Sequence, residues 1–278
     1  MRYKGKKYKK EESLHNREIS NVVAITPVHN ESIASIQYLN RRLKEVKDAL
    51  IDRGIGFRYF FLDDHAKQLP HEGDFPILVS HAKNRGLART LVDGYEAALK
   101  LHPTPDIIIR LDAQEHGPFK IPEIIDYFRN TTGEALLLPI WYKVQNIPAP
   151  LTKEIYEELQ SFSLALSTFD KKNILKSYLR YPLGYQAYSS AALEVLVPKL
   201  RKGLDLFRKQ EGIPPTWGLD LLAIMLASHV FKKKTDYLWG GWSTPWKSNR
   251  GIQKTKEQRH RASVMIKLAK ELVKNPRK

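Results

Sequence analysis

The segment 106–118, DIIIRLDAQEHGP, joins an apolar run to a group of chemically active side chains. An apolar run that ends in Gly and Pro is typical of a buried strand followed by a loop. In an open α/β sheet such loops bind ligands, because the rigid sheet holds their side chains around a crevice. Asp112, Glu115 and His116 are therefore candidate ligands of a divalent cation and, through it, of a phosphate or pyrophosphate. Asp112 also has a simpler interpretation as a turn residue after the strand.

Acidic residues also follow two other apolar runs of the N-terminal half: Glu31 follows the run 22–25, and Asp63 and Asp64 follow the run 57–62. Right-handed crossovers bring the carboxyl ends of parallel strands to one edge of a sheet, so the residues that follow them should meet there. Capping alone does not require several acid-bearing strand ends, and we therefore expect a shared functional site. The acidic residues expected to cluster are Glu31, Asp63, Asp64, Asp112 and Glu115.

Apolar strands alternate with amphipathic helices over the first 140 residues. The predicted strands are 22–25, 57–62, 77–79, 107–111 and 135–140. The predicted helices are 33–52, with Ser32 as N-cap, then 87–99 and 122–128. Pro27 has no amide N–H to give to a ladder, so the first strand is expected to end there. The alternation predicts an α/β fold with a mostly parallel, Rossmann-like sheet and helices on both faces.

The second half of the chain alternates less and predicts a helical C-terminal elaboration. Helical patterns cover 151–180, 191–208 and 256–273, and a last strand is predicted over 232–239. Pro198 is expected to kink or split the second of these helices. The segment 213–218, IPPTWG, predicts a rigid turn leading into a helix with Asp220 in its first turn. With no internal repeat or low-complexity linker, we expect one compact domain.

Composition narrows the class of protein and its partners. The 278 residues include no cysteine, which excludes disulfides, thiolate metal sites and cysteine nucleophiles. No apolar window approaches the roughly 20 residues of a membrane span, and we expect a cytoplasmic protein. The net charge of +16 favours anionic partners such as phosphorylated substrates, lipid headgroups or nucleic acid. Part of the excess lies at the chain ends, where charged runs are commonly solvated tails.

Several catalytic motifs are absent from the sequence. No GxGxxG follows the first predicted strand, which argues against a dinucleotide-binding Rossmann domain. The absence of GxxxxGK[ST] excludes a P-loop NTPase, and the absence of GxSxG removes the common α/β-hydrolase interpretation. HExxH is also missing. The acid-lined sheet edge remains as the candidate site.

Four blocks of the N-terminal half resemble the nucleotide-sugar-binding half of family 2 glycosyltransferases, which have the GT-A fold. ITPVHNE (25–31) resembles the family's Pro-Val-Tyr-Asn-Glu after the first strand, and FFLDDHA (60–66) resembles its strand ending in Asp-Asp-Gly-Ser. NRGLARTLVDGYEAA (84–98) resembles its Asn-x-Gly block. RLDAQEHGP (110–118) resembles its Asp-Ala-Asp strand end, often followed by Gln-His-Pro. The order and distances also match, over residues 21–140.

The resemblance implies one compact GT-A domain with four parts: a basic tail at 1–20, a nucleotide-sugar-binding half at 21–145, an acceptor-binding and catalytic half at 146–250, and a basic helix at 251–278. The positions it implies for the nucleotide sugar are Pro27, Val28, Glu31, Asp64, Asn84, Gly86, Arg89, Asp112 and Ala113. The first three would line the nucleoside pocket, Asp64 would contact the base, and Asn84 and Gly86 would lie near the ribose and phosphates. Asp112 would face the sugar diphosphate and its metal.

The chain departs from the family at the second Asp of Asp-x-Asp, the usual metal ligand, which is Gln114 here. Glu115 or His116 would have to replace it, since carboxylate and imidazole both suit Mn2+. Otherwise basic residues would neutralise the diphosphate without a metal, and the candidates are Arg85, Arg89 and Arg110. We favour a divalent cation, Mn2+ or Mg2+.

The second half of such enzymes binds the acceptor and supplies a base. An acceptor hydroxyl must lose its proton as it attacks the anomeric carbon, which calls for a positioned carboxylate. Asp220 in WGLDLLA resembles the inverting family members' base, although an acidic residue in a first helical turn is also stabilised by the helix dipole. Aromatic side chains stack on sugars, and the aromatic acceptor-binding candidates are Tyr185, Trp217, Trp239 and Trp242, each of which is also explained as core. Gly218 is a further acceptor-binding candidate.

The expected function is therefore transfer of a sugar from a UDP- or GDP-linked donor to a glycan or lipid-linked acceptor. The basic ends would support peripheral contact with anionic membranes, which sedimentation with anionic vesicles would test. One alternative is a nucleotidyltransferase, although TPVHNES lacks the glycine and basic residue usual after the first strand. Another is a non-catalytic nucleic-acid-binding or scaffold protein, which predicts salt-sensitive binding to any DNA or RNA in a shift assay. No specific nucleic-acid partner is expected for the transferase.

Overall fold

The computed structural model of the chain describes residues 17–29, 31–67, 75–112, 120–137, 140–143, 180–181, 186–213, 219–237, 243–245 and 252–274. Its main feature is a seven-stranded sheet in the order β3-β2-β1-β4-β8-β5-β9. These strands are β1 (Asn21–Val28), β2 (Gly56–Asp63), β3 (Ile77–Ser80), β4 (Ile107–Arg110), β5 (Ala135–Leu137), β8 (Gln186–Ser189) and β9 (Thr235–Tyr237). All pairings are parallel except the two made by β8. The predicted mostly parallel α/β sheet is confirmed.

The chain also forms a three-stranded sheet in the order β10-β6-β7. It contains β6 (Ile140–Lys143), β7 (Arg180–Tyr181) and β10 (Ser243–Pro245). The single strand predicted over 135–140 is therefore wrong, because β5 and β6 belong to different sheets. Pro139 lies between them in the sequence and cannot donate to a ladder, which is a physical reason for the break.

Helices cover both faces of the large sheet. They are α1 (Ile33–Ile51), α2 (Leu87–Leu99), α3 (Ile121–Asn130), α4 (Ser190–Glu211), α5 (Leu219–Phe231) and α6 (Ile252–Lys274). α1 and α3 pack on one face, while α2, α4, α5 and α6 pack on the other. Alternate residues of β1 enter the two cores, with Val23 and Ile25 on the α2 face and Val22 and Ala24 on the α1 face.

Local sequence signals account for two of these helices. The Ser32 hydroxyl accepts a hydrogen bond from the Ser35 amide at 3.2 Å, so the predicted N-cap of α1 is present. α2 packs closely on β2 because Gly94 has no side chain: a Cβ at this position would lie 2.2 Å from Leu62 Cδ1. Gly94, the second glycine of the NRGLARTLVDGYEAA block, thus has a packing role.

β1 continues through Pro27 to Val28, so the prediction that it ends at Pro27 is wrong. The amide of Leu111 donates to the Ile25 carbonyl, which shows that odd-numbered residues of β1 present their backbone groups to β4. β4 ends at Arg110, opposite Ile25. The backbone of Pro27 faces the β4 side, where the β1–β4 ladder has already ended at Ile25. The missing N–H of Pro27 therefore removes no ladder hydrogen bond.

Two predictions for the C-terminal half, a break of α4 at Pro198 and a strand over 232–239, differ from the structure. Pro198 neither splits nor ends α4; it lies on the exposed side of this helix, where water can bond the Glu194 carbonyl that proline leaves free. The strand predicted over 232–239 begins instead with a short 3-10 helix, Lys232–Lys234, before β9. Of the predicted helix 151–180 only Arg180 lies in a described range, in β7, and nearly all of the turn 213–218 lies outside those ranges.

None of the helices in the described ranges combines the length and apolar character that crossing a bilayer requires. The proposed boundaries 1–20, 21–145, 146–250 and 251–278 stay predictions.

Candidate active site

The loops after four parallel strands, β1 to β4, leave the large sheet at its carboxyl edge. β1 lies between β2 and β4 in the sheet. From β1 the chain adds β2 and then β3 on one side, and it then crosses back to add β4 on the other side, so the strand order reverses at β1. Loops on the two sides of such a switch point diverge, and ligands of open α/β sheets bind in the gap between them. The loops that bear the predicted acidic residues all leave the sheet here.

Asp64 is the centre of the hydrogen bonding at this edge. Its carboxylate is 3% exposed and accepts hydrogen bonds from the backbone amides of Arg85, at 2.7 Å, and Gly86, at 2.9 Å. His81 Nδ1 lies 3.2 Å from the same carboxylate. Both oxygens therefore hold the loop 84–86, which precedes α2, against the end of β2. The predicted contact of Asp64 with a base stays a prediction, while its positioning of this loop is plain from the geometry.

His29 joins the loops after β1, β2 and β3. Its Nδ1 lies 2.7 Å from the backbone oxygen of Asp64, and its Nε2 lies 2.9 Å from Asn84 Nδ2. The carbonyl can only accept, so Nδ1 carries the proton and Nε2 accepts from Asn84. Asn84 Oδ1 in turn accepts from the Gly86 amide at 2.8 Å, and the Glu31 carboxylate accepts from the His29 amide at 2.5 Å. The three loops form one connected polar network.

Asp63 has a structural role, unlike its neighbour Asp64. Its carboxylate accepts from the Ala66 amide and from the Ser80 hydroxyl, both at 2.7 Å. These bonds close the turn after β2 and attach it to β3. Asp63 therefore lies at the predicted edge, with both of its oxygens engaged in the turn and in β3.

A second set of charges links this edge to the helices behind it. His81 Nε2 lies 3.2 Å from Asp93 of α2, and Arg201 of α4 donates to Asp93 at 2.9 Å. Asp93 also pairs with Arg85 at 3.6 Å and Arg89 at 3.2 Å. A diphosphate neutralised by these two arginines would compete with Asp93 for them, and their role in binding it stays a prediction.

Buried Arg110 forms an ion pair with the partly exposed Asp112 at the end of β4. Arg110 is 0% exposed and donates to Asp112 Oδ1 at 3.0 Å, while the Asp112 side chain is 31% exposed. The other Asp112 oxygen has no bond to a residue that the structure describes. A half-exposed carboxylate oxygen at this edge fits a divalent cation.

The other predicted metal ligands, Glu115 and His116, follow Asp112 in the loop after β4. Ala113, Gln114, Glu115 and His116 lie outside the described residues. Within the described ranges, no three His, Cys, Asp or Glu side chains are grouped so that they could hold a metal ion. Asp112 is accordingly the one predicted ligand that the structure places.

The predicted acceptor-side residues are also mostly outside the described ranges. These residues are Tyr185, Trp217, Gly218, Trp239 and Trp242. Asp220 is the second residue of α5, and its backbone alone is described. Pro27 and Val28 end β1 and are buried.

Sequence reasoning missed His81, Asp93 and Gln186. His81 directly follows β3 and precedes the 84–98 block, so the rule that strand-end residues face the crevice was a usable signal. For Asp93 the local pair with Arg89 four residues earlier was a usable signal, but the pair with Arg201 was not. Gln186 had no local signal, because Arg110 lies opposite it only through the pairing of β8 with β4.

Gly86→Ala is expected to weaken binding of ligands at this edge and to destabilise the fold by about 1–3 kcal/mol. Gly86 has φ 86° and ψ 146°, a backbone conformation that residues with a Cβ strongly disfavour. A shift of this residue would break the bonds of its amide to Asp64 and Asn84. Urea unfolding and nucleotide titration would measure both effects.

Gly54→Ala is the matched control, because Gly54 also has positive φ, 68°, but follows α1 away from the edge. It should lower stability without changing nucleotide affinity. Equal loss of affinity in both variants would contradict the local role of Gly86.

Two glycosyl-3-phosphoglycerate synthases are among the solved structures that share this architecture. Glucosyl-3-phosphoglycerate synthase from Mycobacterium tuberculosis, in complex with Mn2+, uridine-diphosphate-glucose and phosphoglyceric acid, superposes with a TM-score of 0.58 at 14% identity, over 90% of this chain and 80% of that chain. Mannosyl-3-phosphoglycerate synthase from Rubrobacter xylanophilus superposes with a TM-score of 0.50 at 11% identity, over 94% and 76%.

At these identities the likeness shows the fold alone. The chain has the α/β architecture of these two structures, a GT-A-like fold, which confirms the predicted fold class. No protein-family model matches the chain, and no curated protein matches it in sequence.

Proposed function

We propose that the chain is a glycosyltransferase of the family 2 type that moves a sugar, a hexose, from a nucleotide-diphosphate donor to an acceptor hydroxyl. The observation that carries the proposal is the Asp64 network, which joins the loops after β1, β2 and β3 at the switch point of a GT-A-like sheet. Its partners are fixed before any ligand arrives, because backbone amides and buried side chains hold one another. Binding sites of this kind lose little conformational freedom when they are filled.

The nucleotide is proposed to lie across the ends of β1 and β2, and the sugar diphosphate beside Asp112. Glu31, Asn84 and Gly86 lie in the first region, at the sheet edge. Asp112 follows β4, on the other side of β1. A nucleoside on one side of the switch point and a diphosphate on the other would use the whole crevice.

A divalent cation, when bound, would neutralise the diphosphate as it leaves. Asp112 supplies a carboxylate oxygen for it, with Glu115 and His116 as the further proposed ligands. Arg110 holds the other Asp112 oxygen and so limits the directions in which this carboxylate points.

The acceptor is proposed to be a glycan or a lipid-linked hydroxyl. The net charge of +16 also suits an acceptor that carries phosphate, as phosphoglyceric acid does in the Mycobacterium tuberculosis complex. With Asp220 as base, a single displacement would invert the anomeric configuration, which NMR of the product would report.

The experiment that tests the function is a melting-temperature panel with UDP, GDP and their sugar conjugates, with and without Mn2+. A ligand at 100 times its dissociation constant should stabilise the fold by about 2.7 kcal/mol. We expect a shift with one nucleotide family that grows with Mn2+. The absence of any shift would contradict the proposal.

Asp112→Asn is expected to remove the increment due to Mn2+ and to keep the shift due to the nucleotide alone, because an amide oxygen is a weaker ligand than a carboxylate. Asp106→Asn is the control at the amino end of the same strand. There one carboxylate oxygen accepts from the Ser20 and Asn21 amides, which an amide oxygen can also do. A Mn2+ increment that survives in Asp112→Asn would show that the cation binds elsewhere.

A further inference from the structure

The side-chain amide of Gln186 is buried at the carboxyl edge of the sheet. Gln186 is 2% exposed, and its Oε1 accepts from the Tyr188 hydroxyl at 2.8 Å. Its Nε2 carries two N–H donors, and neither has an acceptor among the residues that the structure describes. Buried donors in folded proteins are almost always bonded, so an open one calls for a ligand or another explanation.

None of the described neighbours of Gln186 accepts a hydrogen bond from this nitrogen. Arg110 lies directly opposite Gln186 in the β4–β8 pair, and a guanidinium has donors only. Tyr95 of α2 meets the Tyr188 ring edge-on, with 6.1 Å between ring centroids. Burial raises the pKa of Tyr95 to about 12, so its hydroxyl stays neutral at ordinary pH. These residues form a rigid polar floor, which we call the Arg110–Gln186 floor.

This floor lies beneath the proposed position of the donor sugar. β8 runs antiparallel to β4, so its first residue, Gln186, lies where β4 ends. Asp112 follows two residues after Arg110, and diagonal neighbours of this kind are roughly 7–8 Å apart in an antiparallel pair. A pyranose ring beside Asp112 would therefore come within reach of the Gln186 amide.

The chemistry of the two groups fits a sugar hydroxyl. A hydroxyl donates one hydrogen bond and accepts others, so it can donate to a carboxylate and accept from an amide N–H. Asp112 has an oxygen without a bond in the described structure, and Gln186 has a free amide nitrogen. The lone pairs of that oxygen can serve the proposed cation and a sugar hydroxyl together. A phosphate, in contrast, attracts charged donors and metal ions more strongly than a neutral amide.

We propose that Gln186 donates a hydrogen bond to a hydroxyl of the donor sugar and so helps to select among nucleotide sugars. The inference rests on the proposed glycosyltransferase function. It assigns Gln186 to the sugar and leaves the nucleotide to the loops after β1, β2 and β3. A nucleotide diphosphate and its sugar conjugate should therefore respond differently to a change at Gln186.

The test is calorimetric titration of UDP, UDP-glucose, GDP and GDP-mannose into the unmodified chain, Gln186→Leu and Gln186→Glu. Both variants keep the approximate shape of the side chain and lose the N–H donors. In Gln186→Leu, which adds no charge, affinity for the sugar conjugate should fall roughly tenfold, with affinity for the free diphosphate unchanged. In Gln186→Glu, discrimination between conjugate and diphosphate should fall as well. Deoxy analogues of the sugar add a second readout, because the analogue that lacks the contacted hydroxyl should bind the unmodified chain and Gln186→Leu equally.

Ser228→Ala is the matched control. The Ser228 hydroxyl is also buried without a partner among the described residues, and it lies in α5 next to Ala227, whose carbonyl accepts from Thr235 at the start of β9. That position is at the opposite edge of the sheet, so Ser228→Ala should leave all four affinities unchanged.

Three outcomes would overturn the inference, and they are distinguishable. Equal loss of affinity for diphosphate and conjugate in Gln186→Leu would mean a structural role only. A raised melting temperature in Gln186→Glu with unchanged discrimination would mean that the side chain serves Arg110 instead of a ligand. No heat from any nucleotide with the unmodified chain would refute the proposed function, and the role of Gln186 with it.

Discussion

Asp64→Asn is expected to weaken binding of the nucleotide diphosphate roughly 10- to 100-fold and to lower the free energy of unfolding. Both carboxylate oxygens of Asp64 accept from backbone amides, those of Arg85 and Gly86. An asparagine must turn its NH2 group toward one of these amides, which can only donate. An NH2 group facing the Arg85 amide leaves that amide without its Asp64 acceptor, and one facing the Gly86 amide, which keeps Asn84 Oδ1, still sets two donors against each other. In either case the loop 84–86 must move.

Asp63→Asn is an unusually close control, since the two residues are adjacent, acidic and buried. The Asp63 carboxylate accepts from the Ala66 amide on one oxygen and from the Ser80 hydroxyl on the other. A hydroxyl can reverse its role and accept from an NH2 group, so asparagine is tolerated there.

Urea unfolding and calorimetric nucleotide titration of both variants would measure this contrast. We expect Asp63→Asn to bind nucleotide as the unmodified chain does, and Asp64→Asn to lose affinity. Similar affinities in the two variants would contradict the role given to the Asp64 network.

Asp220→Asn is expected to lower kcat by roughly 100- to 10,000-fold with unchanged affinity for the donor. The Ala227 carbonyl of α5 accepts from Thr235 at the amino end of β9, so the later part of α5 lies at that edge. α5 rises about 1.5 Å per residue, which places Asp220 roughly 10 Å from Ala227 along the helix. Because α5 leads into β9 and packs along it, its first turn lies toward the carboxyl edge, where a base would be needed.

Asparagine keeps the shape of Asp220 but cannot take the acceptor's proton. Steady-state rates, together with donor titration, would separate the chemical step from binding. Asp205→Asn on α4 is the control, because Asp205 is exposed and lies in the interior of that helix. A kcat that stays unchanged in Asp220→Asn, with a small loss of stability, would mean that the carboxylate serves only the helix dipole.

The candidate site could be predicted in part from the sequence. The alternation of apolar runs and amphipathic helices was sufficient to predict the α/β class. The positions of the strand ends were sufficient to predict that Asp64 and Asp112 lie at the same edge of the sheet. The pattern could not separate Asp63 from Asp64, because both follow the same strand. Their roles differ only through partners on β3 and in the loop beyond it.

The sequence by itself determined the elements and the edge, because these depend on the spacing of apolar residues over a few turns or strand residues. Only the tertiary structure decided which polar groups meet there. β8 pairs antiparallel to β4, which places Gln186 opposite Arg110 although 75 residues separate them in the chain. Likewise Pro27 is tolerated inside β1 because β4 stops at Arg110. Such pairings follow from long-range packing of the whole sheet, which no local pattern in the chain records.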